Sequence, residues 1–243
     1  MTARTVLRLT GADRLSFLQG LVTNDVERAL PAGIVYTALL TPQGKFIADF
    51  FVIGAQDSLL IDVATSHAPT LAQRLTMYRL RADVAIAQTD LIVSRGVDTA
   101  PDDALVDPRT PAMGWRHYGP QDLSQPVDWD ALRVAHLVPQ TGIELTPDSY
   151  ILEMGFEALN GVDFRKGCFV GQEIVARMKH KTTLKKGLAR VALSGAAQAG
   201  QDIMSHDKPA GVLHTVSGQT ALAYLRFDRT ADMQAGGVAL TRL

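Results

Sequence analysis

One cysteine, Cys168, stands in 243 residues. A single thiol excludes an intrachain disulfide and any zinc site built on several cysteines. Nor can it complete the four-thiolate set that an iron–sulfur cluster usually takes. Neither sign of charge prevails: 24 Lys and Arg stand against 25 Asp and Glu, a net charge of −1. Nothing global therefore points to nucleic acid or an anionic membrane. No apolar run approaches the ~20 residues of a membrane span; the longest lies near residues 50–55. The opening Met1-Thr2-Ala3-Arg4-Thr5-Val6 lacks the apolar core of a secretory signal. These absences set the expectation of a soluble, intracellular protein, and nothing in the sequence demands more than a monomer.

What is present is ordinary globular material, 47% hydrophobic and 20% charged, long enough for one large domain or a few small ones. Thr5-Val6-Leu7-Arg8-Leu9 alternates as a strand does, and Asp13 is placed to cap a short helix over residues 14–20. Apolar runs at 34–40 and 46–53 flank Thr41-Pro42-Gln43-Gly44-Lys45, a hairpin signal. A strand at 59–63, an amphipathic helix over 68–80 and strands at 84–87 and 91–94 follow. The pattern predicts an α+β domain with a mostly antiparallel sheet. Residues 95–125, rich in Pro, Gly and Asp, read equally as a long loop or a loop-flanked strand around Trp115. A helix is expected over 128–137, and 141–164 is irregular. Beyond Lys181, short strand-like runs separated by Gly and Asp predict a small barrel or sandwich. The expected divisions are 1–95, 96–182 and 183–243.

The densest non-generic stretch is Asn160-Gly161-Val162-Asp163-Phe164-Arg165-Lys166-Gly167-Cys168-Phe169-Val170-Gly171-Gln172-Glu173. Two glycines close to the cysteine permit a tight backbone excursion and close approach of another molecule. From Gln172 a helix would turn Ile174, Val175 and Met178 inward and Glu173, Arg177 and Lys181 outward. Cys168 would then stand just before a helix N-terminus. Together with Arg165 and Lys166, that position would favour the thiolate. Against this stands the ordinary reading of a lone cysteine as a small buried hydrophobe. Residues 165–190 also hold eight Lys or Arg against the single acid Glu173. Such a patch suits a polyglutamate tail, an RNA backbone, an acidic partner protein or plain solvent.

The string from Lys166 through Arg177 resembles the signature of the YgfZ family, K-G-C-[YF]-x-G-Q-E-x-V-x-R. Leu159-Asn160-Gly161-Val162-Asp163-Phe164 is similar to the family's approach to that motif. Gly11-Ala12-Asp13, Phe17-Leu18-Gln19-Gly20 and Thr23-Asn24-Asp25-Val26 resemble its N-terminal block, and Gln43-Gly44-Lys45 with Asp49 its hairpin. The family is related to the aminomethyltransferase, or T-protein, of glycine cleavage. The resemblance therefore implies an aminomethyltransferase-like α+β folate-binding body followed by a small β-barrel. It further implies tetrahydrofolate, or a derivative, as cofactor. The implied role is assembly or repair of iron–sulfur enzymes, tRNA-modifying ones included, with client or assembly proteins as partners. The family's eukaryotic members act in mitochondria; without a transit segment, this chain is expected to be bacterial and cytoplasmic.

Carried onto this chain, Cys168 and Lys166 are the signature pair, with Gln172, Glu173 and Arg177 as their frame. Trp129 matches a tryptophan of the folate site in relatives, where an indole would stack a pterin. Glu153 falls where a carboxylate could accept from the pterin's amino edge. The departures are specific. Ala48-Asp49 keeps one of the T-protein's two adjacent acids, and Arg133-Val134 leads to Ala135 where a glutamate is expected. Three functions follow: a maturation factor in which Cys168 reacts or shares a cluster, a folate-dependent aminomethyl transferase with Asp49 as base, and a cysteine hydrolase served by His180. Whether the chain is an enzyme stays open at this level. The maturation factor is the reading the motifs favour.

Overall fold

The computed structural model describes residues 3–243; Met1 and Thr2, part of the stretch read above for a signal segment, lie outside the described residues. The chain forms two compact units, one of residues 1–127 with 156–176 and one of 128–155 with 177–243.

In the first unit, β1 (Arg4–Thr10), β2 (Ile34–Leu40), β3 (Phe46–Ala55), β4 (Ser58–Ala64) and β5 (Ala85–Gln88) form an antiparallel sheet in the order β2-β3-β4-β1-β5. Strands β3 and β4 are apolar almost throughout because both of their faces are covered. On one face, Leu7, Leu9, Phe50, Val52, Leu59 and Ile61 pack with Leu18 of α1 (Arg14–Gln19) and with Leu71 and Leu75 of α2 (Ala68–Arg79). Each such fully buried side chain contributes roughly 1.5–3 kcal/mol. The β2–β3 hairpin closes as the sequence predicts, with Thr41 N–H donating to the Lys45 carbonyl at 2.8 Å. Asp13 does not cap α1. Its carboxylate instead accepts from Asp83 N–H at 2.8 Å, while Asp83 accepts from Ala12 N–H at 3.0 Å, clasping two loops together.

The segment left open as loop or strand is partly strand: β6 (Ile92–Gly96), β7 (Leu105–Val106) and β8 (Trp115–Gly119) make a second antiparallel sheet in the order β6-β8-β7.

In the second unit, α3 (Trp129–His136) is capped by Asp128, whose carboxylate accepts from Ala131 N–H at 2.9 Å. Strands β9 (Lys186–Leu193), β10 (Asp202–Ser205), β11 (Lys208–Ser217), β12 (Thr220–Arg226), β13 (Met233–Ala235) and β14 (Val238–Arg242) close into a barrel around Val191, Ile203, Leu213, Ala223 and Leu240. Closure leaves no exposed edge, which decides barrel over sandwich. Helix α4 (Gln172–Lys181) begins in the first unit and ends in the second.

These units differ from the three-way division at 95 and 182. Residues 128–155 group with the barrel because their polar side chains are satisfied there. The carboxylate of Glu144 accepts from Arg133 at 2.9 Å and from the Thr215 hydroxyl at 2.5 Å. Among the described residues no helix is long and apolar enough to cross a membrane.

Candidate functional site

The loop leading into α4 is built on Lys166. Its ammonium is buried and donates to the carbonyls of Gln19 at 2.6 Å and Val22 at 2.5 Å, at and just beyond the end of α1. Carbonyls orphaned at a helix terminus are natural partners for a cation. The same ammonium lies 5.3 Å from the Phe169 ring centre, within cation–π range. Burial pulls Lys166 down to about 8, against the attraction of Asp25, Asp163 and Cys168. One step upstream, Asp163 N–H donates to the Thr23 carbonyl at 3.1 Å. Cys168 is exposed on this moored loop. The reading of a small buried hydrophobe therefore fails. Phe169, Val170 and Gly171 separate the thiol from the start of α4, which begins at Gln172 as the sequence predicts.

Gly171 and Gly44 explain how α4 is aimed. Both have positive φ, 83° and 74°. A Cβ on Gly171 would stand 2.7 Å from the Thr41 carbonyl oxygen, and one on Gly44 would stand 2.8 Å from the Ile174 Cβ. The hairpin turn and the helix entry thus meet backbone to backbone, a contact only glycines allow. Gly167 is different: a Cβ there would meet nothing within 4 Å. Gln172 and Glu173 open α4, Val175 is buried beneath, and Glu173, Arg177 and Lys181 are exposed.

Asp49 is buried in β3 and accepts from the Tyr36 hydroxyl at 3.0 Å. Burial, reinforced by the Asp49 charge, raises the Tyr36 phenol well above its ordinary range. Beyond this pair lies a buried ionic cluster that sequence reasoning missed. Asp62 accepts from Arg4 at 2.6 Å, Arg116 at 2.7 Å and the Tyr118 hydroxyl at 3.0 Å. Asp107 accepts from Arg109 at 2.8 and 2.9 Å and from Arg116 at 3.1 Å. The Arg116 guanidinium rests 3.6 Å from the Phe51 ring centre. No spacing in the sequence links these positions, because the sheets alone bring them together.

In the second unit Trp129 opens α3 and is buried. Glu153 is half-buried; one carboxylate oxygen accepts from the Tyr224 hydroxyl at 2.6 Å, and its backbone carbonyl accepts from Leu188 N–H at 2.7 Å. Burial, with Glu153 adding to it, raises the Tyr224 phenol far above its ordinary range. A cavity of about 250 Å³ lies beside Glu153, walled by Met178, Leu184, Lys185, Lys186 and Arg226. Arg133, two residues before the Ala135 that stands where a glutamate was expected, pairs with Glu144. The basic stretch is smaller than its sequence count: Lys166 is buried, and half-buried Arg190 donates to the Ala135 carbonyl at 2.9 Å. Arg165, Arg177, Lys179, Lys181, Lys185 and Lys186 are the exposed members.

Within the first unit, then, Lys166, Cys168, Gln172 and Glu173 gather at one loop–helix junction, and Asp49 lies in the sheet with Tyr36. Trp129, Glu153 and Arg177 belong to the second unit.

Residues 185–242 match the family model described as the CAF17 C-terminal beta-barrel domain. The chain is 31% identical to an iron–sulfur cluster assembly factor IBA57 homolog of Mycosarcoma maydis, with 75% of this chain and 54% of that protein covered. It is 28% identical to the mouse iron–sulfur cluster assembly factor IBA57, with 93% and 76% covered. Both of these relatives are named as iron–sulfur cluster assembly factors. The chain spans about half the length of the first two it matches. In fold it is similar to the glycine cleavage aminomethyltransferase T of Bartonella henselae, with a TM-score of 0.77 at 13% identity, covering 98% of this chain and 82% of that one. The fold is thus aminomethyltransferase-like, as expected. The expectation of a cytoplasmic protein is overturned: the names of these assembly factors all place them in mitochondria, which points there instead.

Proposed function

We propose that this chain is a YgfZ-type, tetrahydrofolate-binding factor for the assembly or repair of iron–sulfur enzymes, tRNA-modifying enzymes among its clients. One observation carries the reading: an exposed thiol is presented on a loop whose neighbouring lysine is buried and spent on mooring that loop. Anchorage beside an accessible sulfur suits a residue that meets a partner. Packing would not require it. With one cysteine, the chain offers a cluster a single sulfur, and the remaining ligands come from the partner.

The folate reading draws support from Glu153 and the cavity beside it. Met178 and Leu184 suit a flat ring system, Glu153 suits its amino edge, and Lys185, Lys186 and Arg226 suit an acid tail. Bound folate would supply a one-carbon carrier. This chain's residues would hold and orient it. Asp49, the base expected of an aminomethyl transferase, is buried and engaged by Tyr36, and that arrangement favours a binding factor over the transferase.

Cys168→Ser is expected to fold as the parent does and to lose complementation of iron–sulfur enzyme activity in cells lacking the endogenous factor. Full complementation would reduce Cys168 to a bystander. Calorimetry with tetrahydrofolate tests the cofactor, with Trp129→Ala expected to weaken binding by roughly 1–3 kcal/mol. Unchanged affinity in a folded variant removes Trp129 from the site.

A further inference from the structure

The large sheet of the first unit ends in β2 on one side and β5 on the other, and the two edges are finished differently. At β2 the edge is covered. Thr23 N–H donates to the Ala38 carbonyl at 3.0 Å, and the Asn24 amide donates to the Tyr36 carbonyl at 2.8 Å. At β5 it is open. Thr89, next in register after β5, donates its N–H to the Val6 carbonyl at 2.9 Å, so the odd-numbered residues of this strand turn their main-chain groups toward β1. Alternation along an antiparallel ladder then turns the N–H and C=O groups of Ile86 and Gln88 outward. None of these groups has a hydrogen-bond partner among the described residues, and Ala85, Ala87 and Gln88 are exposed. Native edges are blunted by charge, proline or a bulge. The strand Ala85-Ile86-Ala87-Gln88 has none of the three.

The side chains at this edge specify what would pair with it. On the face covered by the helices, Ile86 stands opposite Leu9 and packs against the core. A side chain laid beside Ile86 would extend that apolar surface. On the other face Arg8 stands directly opposite Ala87, is exposed, and makes no ion pair among the described residues. Neighbouring strands lie about 4.8 Å apart, so an arginine can reach across the small Ala87 to a carboxylate on a strand laid against β5. Arg79, which donates to the Val84 carbonyl at 3.2 Å, and the exposed Arg81 add positive charge where the strand begins. Of the nearby acids, Asp83 accepts from Ala12 N–H and Asp90 lies past the far end. A second copy of this chain, seated edge to edge about a two-fold axis, would bring its own Arg8 to the same face and set like charges together. We propose that the β5 edge takes up an extended segment of a partner protein as an added antiparallel strand, with apolar residues beside Ile86 and Gln88 and an acidic residue beside Ala87, in reach of Arg8. Main-chain hydrogen bonds to Ile86 and Gln88 give such a strand its affinity, and the alternation of its side chains gives it specificity. The edge uses neither Cys168 nor the cavity at Glu153, so its occupancy does not depend on the role proposed above.

The test is fluorescence anisotropy of a labelled peptide of alternating valine and glutamate, titrated with the full chain. Saturable one-to-one binding is expected, weaker by roughly tenfold when lysine replaces glutamate. N-methylation of the valines, whose amides would face Ile86 and Gln88, is expected to weaken binding roughly tenfold, and N-methylation of the glutamates much less. Gln88→Pro removes one outward N–H without touching a bond to β1, a change that edge strands tolerate, and is expected to weaken the peptide roughly tenfold. Arg8→Gln alters an exposed side chain, should leave the unfolding temperature as it is, and is expected to weaken the glutamate peptide while narrowing its lead over the lysine one. The proposal is overturned if the glutamate peptide does not bind, if it binds no better than the lysine peptide, if methylated valines cost no more than methylated glutamates, or if either folded variant binds as the parent does. It is equally overturned if the chain sediments as a dimer that Gln88→Pro dissociates, since a second copy would then hold the edge.

Discussion

At the scale of single residues, the signature stretch separates positions that hold the loop from a position that is held. Lys166 and Gly171 do structural work, while Cys168 and Gly167 face outward with open space around the glycine. Gly171→Ala forces a side chain against the Thr41 carbonyl at a positive φ and is expected to destabilise the protein by about 1–3 kcal/mol. Gly167→Ala is expected to stay within about 0.5 kcal/mol of the parent. Urea titration of the two variants decides the matter, and equal losses would mean that Gly167 is constrained after all. The sequence showed both glycines as equivalents around a cysteine. Only the partner across the contact, Gly44 in a hairpin more than a hundred residues away, tells them apart.

At the scale of elements, most of what the sequence foretold was local, and most of what it missed was long-range. The β2–β3 hairpin, α2 and the inward face of α4 were legible, because periodicity and turn chemistry act over a few residues. The β8 strand stayed open between loop and strand, since its Arg116 and His117 are buried polar residues that interrupt an apolar pattern. Mooring of the Lys166 loop on the end of α1 was equally hidden, and it makes a pH prediction. Lys166 titrates at about 8 in the folded protein, against 10.5 ordinarily. Between those values the unfolded chain holds the extra proton, so stability should rise with pH across that window. Below it, the cost of the buried ammonium is constant. Lys166→Met is expected to flatten that rise, measured by chemical denaturation at pH 7.5, 9 and 10. A slope identical to the parent's would show that the ammonium is not buried in solution.

At the scale of the whole molecule, the chain passes between its two units at 127–128, 155–156 and 176–177. The C-terminal barrel reads as a separate unit in the sequence, whereas in the structure residues 128–155 group with it. Glu144 and Glu153, from the segment before residue 156, supply Thr215 and Tyr224 with their carboxylates. A fragment of residues 183–243 leaves those hydroxyls without these partners and strips away α3. It is expected to give poorly dispersed amide resonances, whereas a fragment pair that restores 128–155 should recover dispersion. A well-dispersed barrel alone would count against this account. The barrel itself was readable from its regular short strands, but its hydrogen bonds to an earlier segment were not, because such bonds between distant residues leave no spacing to find. Cys168 has a practical consequence as well. Because it is exposed and the chain has no other cysteine, maleimide chemistry would attach one reporter per molecule directly on the loop proposed to meet a partner. Quenching or anisotropy of that reporter could then follow docking in real time, with no background thiols to engineer away.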